Sequence, residues 1–170
     1  MACDSRLSEG YKVVARDISK VEQLGPQAFI ASSGMWCDFD ALKKMIKMRL
    51  TMYEYDMGVR PGIETIANLV SRTLYGRRFF PYYTFNIVAG LDSNGNGAVY
   101  GYDAIGSYER SSYLSQGSGK TYLTPLLDAQ VRQYNVSNPG PHMTLPEAEE
   151  LLIDGFTSIT ERDIYTGKFF

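Results

Sequence analysis

The stretch TFNIVAGLDSNGNGAVYGY, Thr84–Tyr102, decides the fold. Two β-prone runs, Thr84–Gly90 and Gly97–Tyr102, flank Asp92-Ser93-Asn94-Gly95-Asn96-Gly97, and an Asn-Gly turn between such runs predicts a β-hairpin. Upstream the period is helical. Phe39, Leu42, Ile46, Leu50 and Tyr53 recur at three- and four-residue spacing, with Lys43, Lys44, Lys47 and Arg49 between them. After Gly58 and Pro61-Gly62, a second stripe runs through Ile63, Ile66, Ala67, Val70 and Leu74. Downstream, a helix opening after Gly119 carries Leu123, Leu126, Leu127 and Val131. Another, announced by the capping box Thr144-Leu145-Pro146-Glu147, carries Leu145, Ala148, Leu152, Phe156 and Ile159. Before the first helix, Tyr11–Ala15 and Ala28–Ala31 read as strands around polar or Gly25-Pro26 turns. Strands, two helices, a hairpin and two helices predict an α+β fold in which antiparallel sheets stack and helices cover their outer faces.

The 170 residues suit one domain, 1–170, with 44% hydrophobic and 21% charged residues and no long block of one charge. A formal charge of −2 gives no electrostatic ground for a nucleic-acid or anionic-membrane partner. Cys3 and Cys37 are too few for a disulfide framework. No apolar run reaches membrane-spanning length, and no signal-peptide pattern is present at the N-terminus, so a soluble intracellular protein is expected.

Three motifs imitate sites. Gly117-Ser118-Gly119-Lys120-Thr121 resembles the end of a phosphate loop, but Leu114 stands where the first glycine is needed for the backbone to wrap a phosphate. Asp92, Asn94, Asn96 and Asp103 match part of a calcium loop, yet strands rather than helices flank them, which favours a polar hairpin turn. Arg77-Arg78-Phe79-Phe80-Pro81-Tyr82-Tyr83 interleaves cations with aromatics. That suits single-stranded nucleic acid, but in an acidic chain, and between a helix and a buried-looking strand, it suits packing or a protein interface better. The lone His142, beside Asn138-Pro139-Gly140-Pro141, has no neighbouring ligand spacing and reads as a surface residue. No cofactor or metal is expected, and no Ser-His-Asp or Cys-His arrangement stands out.

Asp4-Ser5-Arg6-Leu7-Ser8-Glu9-Gly10, Gly76–Tyr83, Gly90-Leu91-Asp92 with Gly97–Tyr100, Gly106-Ser107-Tyr108, Leu126-Leu127-Asp128 and Glu161–Gly167 together resemble the β-type subunits of the 20S proteasome, and within them the non-catalytic sixth position of the β ring. The resemblance covers essentially the whole chain. It implies a four-layer αββα sandwich of the N-terminal nucleophile hydrolase type. Active members attack with the hydroxyl of an N-terminal threonine whose own amine is the base. By the same resemblance Asp4 and Lys20 correspond to the site aspartate and lysine, Ser118 to the serine near the amine and Asp163 to the second aspartate. Thr166 stands where active members usually carry serine. These five are therefore expected to be a vestigial site, with Arg77, Arg78, Phe79, Tyr82 and Tyr83 as interface candidates.

The strand expected to bear the nucleophile would precede Met1, and the last strands would follow Gly167, so both ends read as cut; Tyr165–Phe170 stops where a strand ought to start. The implied role is structural: a non-catalytic subunit of the heptameric β ring, in a hetero-oligomer with other β subunits and the α ring, serving ubiquitin- and proteasome-dependent degradation in cytoplasm and nucleus. The alternative is a catalytic threonine protease whose N-terminal segment is missing from this sequence.

Overall fold

The computed structural model describes residues 1–168 except 134, 139 and 141. In chain order the elements are β1 (Leu7–Glu9), β2 (Lys12–Ala15), β3 (Val21–Gly25), β4 (Ala28–Gly34), α1 (Trp36–Met57), α2 (Ile63–Tyr75), β5 (Thr84–Leu91), β6 (Gly97–Tyr102), β7 (Tyr108–Ser111), α3 (Lys120–Gln130) and α4 (Leu145–Thr160). They group into two compact units, Val21–Gln116 with Met1, and Ala2–Lys20 with Gly117 onward.

The first unit is a five-stranded antiparallel sheet in the order β3-β4-β5-β6-β7, with α1 and α2 inserted between β4 and β5. Register puts Ile30, Val88 and Tyr100 side by side, and Ala28, Gly90 and Ala98 in the next row. Because side chains alternate across a strand, these residues share one face. That face packs in a single core with Phe39, Leu42, Ile46 and Leu50 of α1 and Ile63, Ile66, Ala67, Val70 and Leu74 of α2. Both helical stripes read from the sequence are thus buried, apart from half-buried Tyr53. Gly90 lets the layers meet, since a Cβ there would lie 2.4 Å from the Gln27 carbonyl oxygen and 2.8 Å from Ile63 Cδ1. The Tyr102 hydroxyl donates to the Ala67 carbonyl at 2.8 Å, and burial pushes its pKa up.

The Asp92 turn closes the β5–β6 hairpin. The backbone N–H groups of Asn94 and Asn96 both donate to Asp92 Oδ1, while Arg110 donates to Oδ2. Hydrogen bonding by Asn96, with the Arg110 charge, holds the Asp92 carboxyl below its usual range. A carboxylate so occupied organises a turn. Leu114, the residue that spoils the phosphate-loop pattern, packs on β6: a Cβ at Gly101 would come within 2.9 Å of its Cδ1.

In the second unit β1 and β2 pair as a hairpin, and α3 packs with α4. The Thr144 capping box forms as read, each partner satisfying the other's backbone N–H. The stripe of α4 is corrected at Leu145, whereas Ala148, Leu152 and Phe156 are half-buried. Leu145 is 73% exposed, and Ile159 is the one apolar stripe residue that is buried. At Gly155 a Cβ would lie 2.9 Å from Leu123 Cδ1, so α3 approaches where α4 has no side chain. His142 is exposed in the lead-in to α4, beside Pro139 and Pro141, which lie outside the described residues, as do Phe169 and Phe170.

Candidate functional site

All five positions that the resemblance singled out lie in the second unit, and hydrogen bonds tie them into two hubs. Asp4 is the first. Its Oδ1 accepts from Lys20 Nζ at 2.7 Å, and its Oδ2 accepts from the backbone N–H of Arg6 at 3.0 Å and of Gly167 at 3.1 Å. The side chains of Asp4 and Lys20 are 14% and 19% exposed, so the pair is shielded from water more than a surface salt bridge. Asp163 is the second hub. The hydroxyls of Ser118 and Thr166 both donate to its Oδ2 at 2.6 Å, and the Tyr165 N–H donates to Oδ1 at 3.1 Å. The segment 163–167 joins the hubs, with Asp163 at one end and the Gly167 N–H on Asp4 at the other.

Local chain behaviour puts these groups in place. Helix α4 ends at Thr160, and the Asp163 N–H continues its bonding onto the Ile159 carbonyl at 2.8 Å, which fixes the carboxylate just past the helix end. Gly117, at φ 103°, turns the chain so that Ser118 precedes the first turn of α3. The Gly-Ser-Gly-Lys-Thr motif therefore serves this turn, with Lys120 exposed. Ser5 and Arg6, neither singled out by sequence reasoning, complete the set. Ser5 is fully buried; its N–H donates to the Lys168 carbonyl at 2.7 Å, and its hydroxyl reaches the carbonyls of Arg16 at 2.6 Å and Lys168 at 3.0 Å. Arg6 donates to the Ile164 carbonyl at 2.5 Å and fills the space beside Gly167, where a Cβ would lie 2.7 Å from its own. The contacts to Ile164, Gly167 and Lys168 span some 160 positions of sequence, a distance over which pattern carries no signal.

The electrostatics favour a static network. Burial raises the Asp163 pKa, but the hydrogen bonds from Ser118 and Thr166, then Tyr165 and the Arg6 charge, outweigh it and leave the carboxyl below its ordinary value. A carboxylate with a lowered pKa is a weak base, and both hydroxyls donate to it. Lys20 spends its ammonium on Asp4. The lowered pKa also sets a pH dependence. A group depressed in the folded state adds stability in full above its unfolded value, about 4, and that contribution is lost as pH falls through the lower folded value. Denaturant unfolding at pH 6 and pH 3 should show wild type losing more stability on acidification than Asp163→Asn; equal losses would contradict the hub.

Of the five interface candidates, Arg77, Arg78, Phe79 and Tyr83 are exposed, whereas Tyr82 is corrected: it is only 5% exposed and belongs to the core of the first unit. Period-two alternation puts Tyr82 on the face of Thr84, Asn86 and Val88. The Arg77 guanidinium stacks over its ring, 4.5 Å from the centroid. Among the described residues no cluster of three or more His, Cys, Asp or Glu could hold a metal, and no helix is long and apolar enough to cross a membrane.

Comparison with known proteins identifies the family. The family model described as "Proteasome subunit" matches residues 1–170. The chain is 44% identical to "Proteasome subunit beta type-1" of Arabidopsis thaliana over 172 residues, covering 98% of this chain and 77% of that protein. It is 44% identical to the protein of the same name from Danio rerio, covering 98% of this chain and 71% of the relative. To the Caenorhabditis elegans protein it is 38% identical, covering 98% and 66%. With a family model matched end to end and relatives at this identity, the chain belongs to the proteasome subunit family.

Proposed function

We propose that this protein is a non-catalytic, structural β subunit of the proteasome core particle, and that the five family-site positions act as an internal brace. The observation that carries this is the Asp163 hub: the hydroxyls of Ser118 and Thr166 both give their protons to one carboxylate of lowered pKa. Similarity to proteins named beta type-1 supports the same assignment. The finer fold reading is one domain over 1–170 with the four-layer αββα sandwich of N-terminal nucleophile hydrolases. It rests on the family together with the antiparallel sheets and paired helices. The same proposal takes other β subunits and the α ring as partners in a hetero-oligomer and assigns the cytoplasm and nucleus as its compartments. It includes no cofactor, metal, nucleic acid or membrane.

The alternative of a catalytic threonine protease is weaker, because the relatives that match 98% of this chain are named beta type-1, which corresponds to the ring position read as non-catalytic. The experiment is co-purification. Tagged full-length protein, expressed in eukaryotic cells, should co-sediment with other proteasome subunits in equal amounts. A tagged protein found free of them would reject the assignment.

A further inference from the structure

We propose that the turn Tyr75–Tyr83 is a preformed docking key, whose occupant is an apolar socket rimmed by carboxylates on a neighbouring protein subunit. The proposal rests on the subunit assignment above and adds a surface and a partner chemistry to it. Phe79 is 98% exposed and Phe80 81%, with Tyr75 and Tyr83 at 61% and 62%. Single exposed apolar side chains are ordinary, but four large aromatics within nine residues form a patch of the kind that marks an interaction site.

The turn is held as well as exposed. Arg77, Arg78 and Phe80 donate backbone N–H groups to the carbonyls of Leu74, Tyr75 and Arg77, each at 3.0 Å, extending α2 as a tight turn. On the far side, Tyr83 N–H donates to Asp38 Oδ2 at 2.8 Å, and the Tyr83 carbonyl accepts from the Met35 N–H at 2.8 Å. Tyr82, buried between these ties, pins the segment to the core. A rigid display loses little conformational freedom on docking, so aromatic burial converts into affinity.

Charge selects the partner. Between Glu64 and Asp92 the sequence carries Arg72, Arg77 and Arg78 and no acidic residue, in a chain whose net charge is −2. Arg77 and Arg78 are exposed, and neither forms a salt bridge among the described residues. Arginine beside exposed aromatics is the composition of an interface hot spot, and its complement is a carboxylate. A nucleic-acid track is disfavoured: it needs a run of cations along a backbone, whereas this turn offers two, one already stacked on Tyr82.

The test compares full-length wild type with Phe79→Ala/Phe80→Ala and with Arg78→Glu, each co-expressed with proteasome α and β subunits. Incorporation is read by quantitative mass spectrometry of the assembled particle. Both variants should keep the wild-type thermal midpoint, since neither touches the core, and should enter the particle at least about tenfold less well. A photo-crosslinking amino acid at position 79 should capture one neighbouring subunit through a peptide containing Asp or Glu. Wild-type incorporation of both variants, or crosslinks scattered over many peptides, would overturn the docking key and leave the subunit assignment standing. Failure of wild type itself to incorporate would overturn both. Saturable binding of a labelled single-stranded oligonucleotide that Phe79→Ala/Phe80→Ala abolishes would replace the protein partner with nucleic acid.

Discussion

Replacing Asp4 by alanine should lower the stability of the protein by about 2–3 kcal/mol and its thermal midpoint by about 5–10 °C. The Asp4 carboxylate accepts three hydrogen bonds, from Lys20 Nζ and from two backbone N–H groups. Alanine leaves the half-buried ammonium without its counter-charge and two N–H groups without an acceptor. The cost of such a change lies mainly in the orphaned partners. The Gly167 N–H is one of them, so the effect reaches the segment 163–167 and through it the Asp163 hub. Asp4→Asn retains acceptor capacity and should lose less, and Lys20→Ala, which leaves the backbone bonds intact, should fall between wild type and Asp4→Ala. Urea unfolding of the series checks the order. An unchanged midpoint for Asp4→Ala would mean that the hub is an idle remnant.

A comparable loss, about 3 kcal/mol, is expected for Gly106→Ala in the first unit. Gly106 has φ 93°, where an L side chain is strained, and a Cβ there would lie 2.4 Å from the Ser71 carbonyl oxygen and 3.1 Å from Leu74 Cβ. Neither neighbour is free to give. Ser71 donates its hydroxyl to the Gly106 carbonyl at 2.6 Å, and Leu74 is fully buried in the core. Relief would require α2 to lift from the β6–β7 turn, whose shape is set by Ile105 and Ser107 N–H groups donating to Asp103. Denaturant unfolding of the variant is the check, and a loss under about 1 kcal/mol would show that the turn can rearrange.

The two predictions bear on different kinds of information. What surrounds α1, α2 and the β5–β6 hairpin was legible because periodicity is local: Leu42, Ile46, Val70 and Leu74 announce their burial at three- and four-residue spacing, and the Asn-Gly turn announces the hairpin. Strand β7 was not, because Tyr-Glu-Arg-Ser carries no apolar alternation and is defined by its pairing to β6. Helix α1 opens at Trp36, two residues before the change of period at Asp38. The stripe of α4 holds from Ala148 to Ile159 and fails at Leu145, while the close contact of Gly155 with Leu123 carries no apolar signal in the sequence. Tyr82 was read with its arginine and aromatic neighbours as an interface candidate, although its alternation with Thr84 and Asn86 marks it as buried.

The candidate site shows the same division more sharply. Composition and spacing treat Asp4, Lys20, Ser118, Asp163 and Thr166 as unrelated polar residues, and only resemblance to a family groups them. In the structure hydrogen bonds join the five into the two hubs. The resemblance did not supply Ser5 and Arg6, whose partners lie about 160 positions away. Nor did it supply the direction of the hydroxyl protons, both of which run to Asp163.

The most direct test is covalent labelling of the assembled particle with a peptide electrophile that reacts with N-terminal threonine nucleophiles, followed by peptide mapping of every subunit. The account predicts that this protein is present in the particle and unmodified while catalytic neighbours carry the adduct. An adduct on this protein, at Ser118, Thr166 or any other residue, would contradict it.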